Sequence, residues 1–343
     1  MNSPKPVLSG LPLPALEALF TPLPAFRARQ VFRWIARGAP SFHVMSDLAL
    51  SLREELSERF SLYATSVSQR LEDRDGTVKL QIALADGIRI EAVRLTDGEA
   101  RQTACLSTQA GCPVACAFCK TGSLGFARNL SSAEIVEQFF HLRSGADIAN
   151  IVVMGMGEPL LNLSALRDAL AVLTDGQGVG LSKRRVTVST SGVIAGIRDL
   201  ADNGPAVRLA CSLTTADSAL REKLIPISVH NPLPQLHDAL HYHQQKHGQR
   251  LTLEAVLLGG VNTRLRDAEL MARFADGLDV VVNLIPWNSV SGTFFHEPSE
   301  REVAAFMTAL EQHGLTVTRR FRKGSGIAGA CGQLGNMQGD GVY

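Results

Sequence analysis

Residues 111–122 read GCPVACAFCKTG, which sets Cys112, Cys116 and Cys119 in the spacing C-x3-C-x2-C. Three thiols gathered in one short loop can bring their sulfurs onto a single metal centre. Gly111, Ala115 and Ala117 keep that loop small enough to fold back on itself. A 4Fe–4S cube ordinarily takes four thiolates. Three leave one iron open, and an open iron can chelate the amino and carboxylate groups at the methionine end of S-adenosylmethionine (SAM). The alternative is a zinc site completed by a distant His or Cys. Zinc knuckles usually pair one C-x2-C with a second of similar spacing, and the chain has no such second pair.

Downstream of this loop the chain repeats strand then helix. Apolar runs at 151–154, 186–189, 208–213, 251–258 and 279–286 are each followed by an amphipathic segment. Near-continuous apolar strands alternating with helices point to an α/β fold with a covered parallel sheet. Such a series closes as a barrel or opens as a doubly wound sheet, and periodicity does not separate the two. Upstream, TVKLQIALADGIRIEAVRL from Thr77 alternates apolar and polar residues around Asp86-Gly87, a β-hairpin signature. Before it, FRARQVFRWIARG sets Phe26, Val31, Phe32, Trp34 and Ile35 beside Arg27, Arg29, Arg33 and Arg37, and LALSLREELSERF follows. The expected organisation is a helical accessory unit over 1–75, a hairpin extension over 76–100, a core over 101–322 and a tail over 323–343. The Gly-rich tail, GSGIAGACGQLGNMQGDGVY, is expected to be a flexible surface segment.

The 343 residues are 45% hydrophobic and 20% charged, ordinary for a globular protein. No apolar run approaches the roughly 18–20 residues of a membrane span. The first residues lack a basic stretch followed by a long apolar one, so a cytoplasmic protein is expected, with no membrane partner. Six cysteines are too few for a disulfide scaffold. The net charge of +1 says little about nucleic acid, but two local runs are basic. Lys183, Arg184 and Arg185 form one; Arg319, Arg320, Arg322 and Lys323 form the other. Each is either a solvated surface or a phosphate-contacting patch.

Three further features carry chemistry. Strand 151–154 runs into Gly155-Met156-Gly157-Glu158-Pro159, where glycines permit close approach to a ligand and Glu158 could accept from an ammonium. Cys331 lies in GACGQL with Arg320, Arg322 and Lys323 upstream, and nearby cations favour a thiolate. Cys211, on an apolar strand, reads as core, whereas Cys105 reads as either core or redox-active.

The cysteine loop, MGMGEPLLN, LSKRRVTVSTSG, NLIPWN and ACGQL occur in that order, and with them the chain resembles the RlmN/Cfr family of radical SAM RNA methylases. The resemblance spans nearly the whole chain. It implies a helical N-terminal domain, a partial (β/α)6 barrel, a 4Fe–4S cluster and SAM. It also implies methylation of an adenine in 23S rRNA at the peptidyl transferase centre, at carbon 2 with some tRNA adenines also modified, or at carbon 8. By the family pattern Cys112, Cys116 and Cys119 hold the cluster. Gly157, Glu158, Ser189, Ser212, Leu213, Thr214 and Asn288 form the SAM site. Cys331 is S-methylated, Glu91 is the base, and Cys105 forms a disulfide with Cys331 to release the RNA. A one-electron donor such as flavodoxin or ferredoxin and a monomeric state are also expected. The chain departs from the pattern at Thr214, where the family commonly has His, and at Gly326, where it usually has Asp. Alternatives are a radical SAM enzyme acting on a protein or small molecule, and a zinc-dependent RNA-binding module.

Overall fold

A computed structural model describes residues 5–335; part of the tail, 336–343, lies outside the described residues. The first helices are α1 (Leu13–Leu19), α2 (Ala25–Ala36) and α3 (Leu50–Arg59). In α2, Ala28, Val31, Phe32 and Ile35 recur at helical spacing and are buried, which turns the arginines outward. Phe26 is not part of that stripe: it is 49% exposed, with the Arg27 guanidinium 4.6 Å from its ring centre. The helical expectation for the first 75 residues fails at β1 (Ser66–Glu72), a strand. Its side chains are mostly exposed, so it carries no apolar period, and main-chain pairing with the next strand is what orders it.

The Asp86-Gly87 hairpin is present as β2 (Val78–Ala83) and β3 (Arg89–Thr96). β4 (Gln102–Cys105) pairs antiparallel with β3. β5 (Gln109–Gly111) and β6 (Phe126–Asn129) pair with each other and bracket the cysteine loop, which leads into the short helix α4 (Lys120–Ser123). From β4 onward the main sheet is parallel, through β7 (Ile148–Val153), β8 (Val186–Thr190), β9 (Arg208–Ser212), β10 (Leu251–Leu257), β11 (Val280–Pro286) and β12 (Thr316–Arg319). Helices alternate with these strands, beginning with α5 (Ser132–Arg143) and α6 (Leu163–Thr174). Strand order follows chain order from β1 to β12 with no reversal, leaving out β5 and β6. A doubly wound sheet reverses its order at a switch point. The fold is therefore the partial radical SAM barrel, with loops at the C-terminal strand ends free to build a site. Among the described residues no helix is long and apolar enough to cross a membrane.

One buried carboxylate ties the N-terminal segment to this barrel. Glu137 of α5 is fully buried and accepts from Ser9 Oγ at 2.5 Å, Thr65 Oγ1 at 2.6 Å and Thr65 N at 2.8 Å, with Ala64 N at 2.9 Å. Burial pushes its carboxyl up, and these four donors pull it back down. A buried donor left without its acceptor costs about 1–3 kcal/mol. Glu137→Ala should therefore lower the unfolding free energy by about 3 kcal/mol or more in urea titration. A loss under about 1 kcal/mol would show that the carboxylate is not what docks the two parts.

Candidate active site

The C-terminal strand ends enclose a cleft of about 460 Å³. Its wall gathers Cys105, Cys112, Cys116, Cys119, Gly157, Glu158, Ser189, Ser212, Asn288 and Cys331, drawn from segments far apart in the chain. Glu91, Leu213 and Thr214 are not on that wall, and all three are buried.

The cysteine loop is held by close main-chain contacts. Gly111 has φ +75°, and a Cβ there would lie 2.0 Å from the Gly125 carbonyl oxygen, so only glycine fits. Cys112 N donates to that carbonyl at 2.8 Å. Ala117 N donates to Leu224 O at 3.0 Å, and Trp287 Nε1 donates to Phe118 O at 2.9 Å. Beneath the loop Val114, Phe118, Leu224, Ile225 and Trp287 form a small apolar cluster of their own. Burial pushes the Cys112 thiol up to about 12, and the charges of Glu158 and Cys119 push the same way. Burial raises Cys116 further, reinforced by Cys119 and Cys112. Burial raises Cys119 too, and a buried thiol gives up its proton most readily to a cation that takes the proton's place. Among the described residues no group of three His, Cys, Asp or Glu is gathered as a ready-made metal site.

Opposite the loop, Gly157 has φ +100°, and a Cβ there would lie 2.5 Å from Gln109 Cβ. Glu158 accepts from Ser191 N at 2.7 Å and Ser191 Oγ at 2.8 Å on one oxygen, and from Leu160 N at 3.1 Å on the other. Two donors fill the first oxygen's lone pairs, so a further donor would have to reach the oxygen that Leu160 N engages. Ser189 and Ser212 stand Oγ to Oγ at 3.3 Å across β8 and β9. Arg221, 1% exposed, ties these strand ends together by donating to Ser191 O at 2.6 Å and to the Ser212 and Leu213 carbonyls.

The tail contradicts the expectation of a flexible surface segment. It crosses the cleft mouth, bonded at each step to residues far away in the chain. Gly324 N donates to Asp75 Oδ2 at 2.8 Å, Gly326 N to Asp73 Oδ2 at 2.9 Å, and Lys79 Nζ to Ala328 O at 3.1 Å. Asn288 Nδ2 donates to Cys331 O at 3.0 Å, and Lys120 N to Gly332 O at 2.8 Å. Gly335 N donates to Glu91 Oε2 at 2.8 Å. Glu91, in the body of β3, is 2% exposed and lies 3.4 Å from the Lys79 ammonium, so it is not a solvent-facing strand residue. Asn288 thus grips the tail, while its Oδ1 accepts from Arg322 Nε at 2.8 Å.

Cys331 is solvent-exposed within the cleft, whereas Cys105 is 8% exposed. The surrounding protein pushes Cys331 up; Arg320 pulls it down. Burial pushes Cys105 up to about 12, opposed by Arg320 and reinforced by Cys331, and all three line the cleft. All six cysteines are free, so the Cys105–Cys331 disulfide is not a standing feature of this fold.

Sequence reading missed Lys79, Arg221, Glu254 and Arg320 as individuals. Glu254 had a signal, a lone carboxylate in an apolar parallel strand; it lines the cleft and accepts from Asn283 Nδ2 at 2.7 Å. The basic run at 319–323 is largely spoken for. Arg319 makes a two-pronged pair with Glu300 at 2.6 Å, Arg322 pairs with Glu297 at 2.5 Å, and Arg320 faces the cleft. Lys183–Arg185 is exposed.

Residues 106–274 match the Radical SAM superfamily, and residues 7–62 match the ribosomal RNA large subunit methyltransferase N-terminal domain. The chain is 51% identical to a probable dual-specificity RNA methyltransferase RlmN of Treponema pallidum, over 97% of this chain and 98% of that one. The chain belongs to the RlmN family. It is 44% identical to the dual-specificity RNA methyltransferase RlmN of Halorhodospira halophila, over 95% of this chain and 92% of that one. A crystal structure of a radical SAM methyltransferase from Sphaerobacter thermophilus superposes with a TM-score of 0.92 at 36% identity, covering 96% of this chain and 99% of that one. Membership implies a 4Fe–4S cluster and SAM as the cofactor system and a SAM-dependent methyltransferase activity.

The two departures from the RlmN/Cfr pattern have different surroundings. At Gly326 the N–H donates to Asp73 Oδ2, and a Cβ would lie 2.9 Å from Asp73 Oδ1, so the Asp73 carboxylate occupies the space beside this position. Thr214 has φ +60°, unusual for a β-branched residue, and its buried hydroxyl has no hydrogen-bond partner.

In the anaerobic, cluster-loaded protein at neutral pH, iodoacetamide should modify Cys331 well before Cys105, as read by peptide mass spectrometry. A protonated, buried thiol is a poor nucleophile. Equal rates at both residues would contradict the placement.

Proposed function

We infer that this chain is a radical SAM methyltransferase of the RlmN type that methylates an adenine base in RNA. The finer reading is carbon 2 of the peptidyl transferase centre adenine of 23S rRNA, with a tRNA adenine as a second substrate. The observation that carries it is that Cys331, Cys105 and Arg320 line the same cleft as the three-cysteine loop. A generic radical SAM site needs the loop but not this thiol pair.

Cys112, Cys116 and Cys119 suit a three-thiolate cluster: they share one wall, interact electrostatically, and need a cation to give up their protons. The Gly157–Glu158 turn, Ser189 and Ser212 line the same cleft and would hold SAM. When bound, the cluster and SAM together supply a carbon-centred radical, chemistry that no side chain provides.

The chain's own residues do the rest. Cys331 must lose its proton to accept a methyl group, and Arg320 favours that thiolate. Adenine ring C–H carbons are poor nucleophiles, so the carbon reaches them while still attached to the Cys331 sulfur, as a protein–RNA adduct. Glu91 would take the ring proton. It now holds the Gly335 N–H from behind the tail, so the role requires the end of the tail to shift. Once the adduct has given up the ring proton and one electron to the cluster, Cys105 as its thiolate would attack the Cys331 sulfur: the S–S bond replaces the S–CH2 bond, the electron pair left on the carbon takes up a proton to make the methyl group, and the RNA is released.

The N-terminal helices, with the outward arginines of α2, and the exposed Lys183–Arg185 would contact RNA phosphates. A one-electron donor such as flavodoxin or ferredoxin would complete the system, with the enzyme acting as a monomer.

Nucleoside mass spectrometry of rRNA and tRNA from cells with and without the gene tests the reading. 2-Methyladenosine should vanish with the gene and return with the wild-type chain but not with Cys331→Ala. Unchanged 2-methyladenosine, or loss of 8-methyladenosine instead, would refute it.

A further inference from the structure

Phe321 is used neither by the thiol chemistry nor by the packing. It is 76% exposed and belongs to neither hydrophobic cluster, yet it lines the same cleft as Cys105 and Cys331. Its main chain is fixed on both sides. Arg320 N donates to Leu284 O at 2.9 Å, and the Arg322 side chain is held by Asn288 at 2.8 Å and Glu297 at 2.5 Å. The ring is therefore presented on an anchored segment, which reduces the ordering cost of a ligand that lands on it.

The charges around Phe321 decide what kind of ligand that is. Both guanidinium arms of Arg319 are taken by Glu300, and Arg322 is taken by Glu297. A phosphate grip would leave such forks open. What the paired forks of Arg319 and Arg322 leave between Arg320 and Lys323 is the flat apolar face of Phe321. Nucleobases are flat, and every base offers a π-face whatever its hydrogen-bonding edge. A base drawn out of folded RNA into a cleft also leaves its neighbour unstacked.

We propose that Phe321 is a stacking platform at the cleft mouth for an unstacked nucleobase of the RNA, the neighbour of the base that enters the cleft. This rests on the RNA reading given under Proposed function. Phe294, 104% exposed but absent from the cleft wall, is the internal comparison.

The test uses the anaerobic cluster-loaded protein and a single-stranded oligoadenylate octamer carrying a fluorescent adenine analogue whose emission falls on stacking. The wild-type protein should bind it with loss of emission. Phe321→Ala should weaken binding on the order of 5- to 150-fold and abolish the loss of emission at saturation. Phe321→Trp should retain both, and Phe294→Ala should match wild type. An abasic octamer with the same phosphates should bind wild type and Phe321→Ala alike. The proposal is overturned by no binding or no loss of emission with wild type, by an unaffected Phe321→Ala, or by an equal loss on the abasic octamer. Transfer of labelled methyl from SAM to bulk RNA separates the two levels. If RNA stays unlabelled while the Phe321 variants behave as stated, the methylation reading falls and the platform stands. Labelled RNA with normal binding by Phe321→Ala makes the platform alone fall.

Discussion

The bond from the Asn288 amide to the Cys331 carbonyl, 3.0 Å long, sits at the centre of the ties that hold the tail over the cleft. Without them the reactive cysteine would hang on a segment with no regular structure beyond a single turn, Ser325–Ile327. Ordering one residue of backbone costs about 1–2 kcal/mol. A typical hydrogen bond returns about 0.5–1.5 kcal/mol net. Several must therefore act together, which is why Asp73, Asp75, Lys79, Lys120 and Asn288 all engage the same short stretch. Segments held by so narrow a margin are the ones that open locally. Such opening would free the Glu91 carboxylate from the Gly335 N–H, as the base role proposed for it requires.

The barrel supplies rigidity where the tail does not. The turn after β7 carries Glu158, and the last residues of β8 and β9 include Ser189 and Ser212; parallel pairing brings these C-terminal ends to one side of the sheet. Arg221, carrying a full charge in the interior, laces those ends by their carbonyls. Burial lowers its pKa, and the nearby Cys211 and Cys116 work against that. The same guanidinium lies close enough to Cys116 to favour its thiolate, so the strand ends and the cysteine loop share one electrostatic frame.

Much of this was legible in the chain because it is local. Cys112, Cys116 and Cys119 announce themselves by spacing, the five apolar strands by composition, and the Asp86-Gly87 hairpin by its turn. The order of the strands was not, since barrel and open sheet share one periodicity; unreversed neighbour pairing separates them. The tail was misread for a definite reason. Its partners at Asp73, Asp75, Lys79 and Glu91 are about 250 residues earlier, and no local pattern records them. β1 was missed because its exposed side chains carry no apolar period. The run at 319–323 stayed open between a solvated surface and a phosphate patch because its partners Glu297 and Glu300 lie some twenty residues earlier, before and at the start of a helix. Glu91, by contrast, had no signal of its own; the family resemblance alone singled it out.

The central claim is that Cys331 carries the methyl group and Cys105 releases it. Peptide mass spectrometry of a Cys105→Ala variant, expressed with SAM available, tests this most directly. The account predicts a peptide in which Cys331 has gained a methyl group or remains joined to RNA. An unmodified Cys331 in a protein that holds iron and sulfide would contradict it.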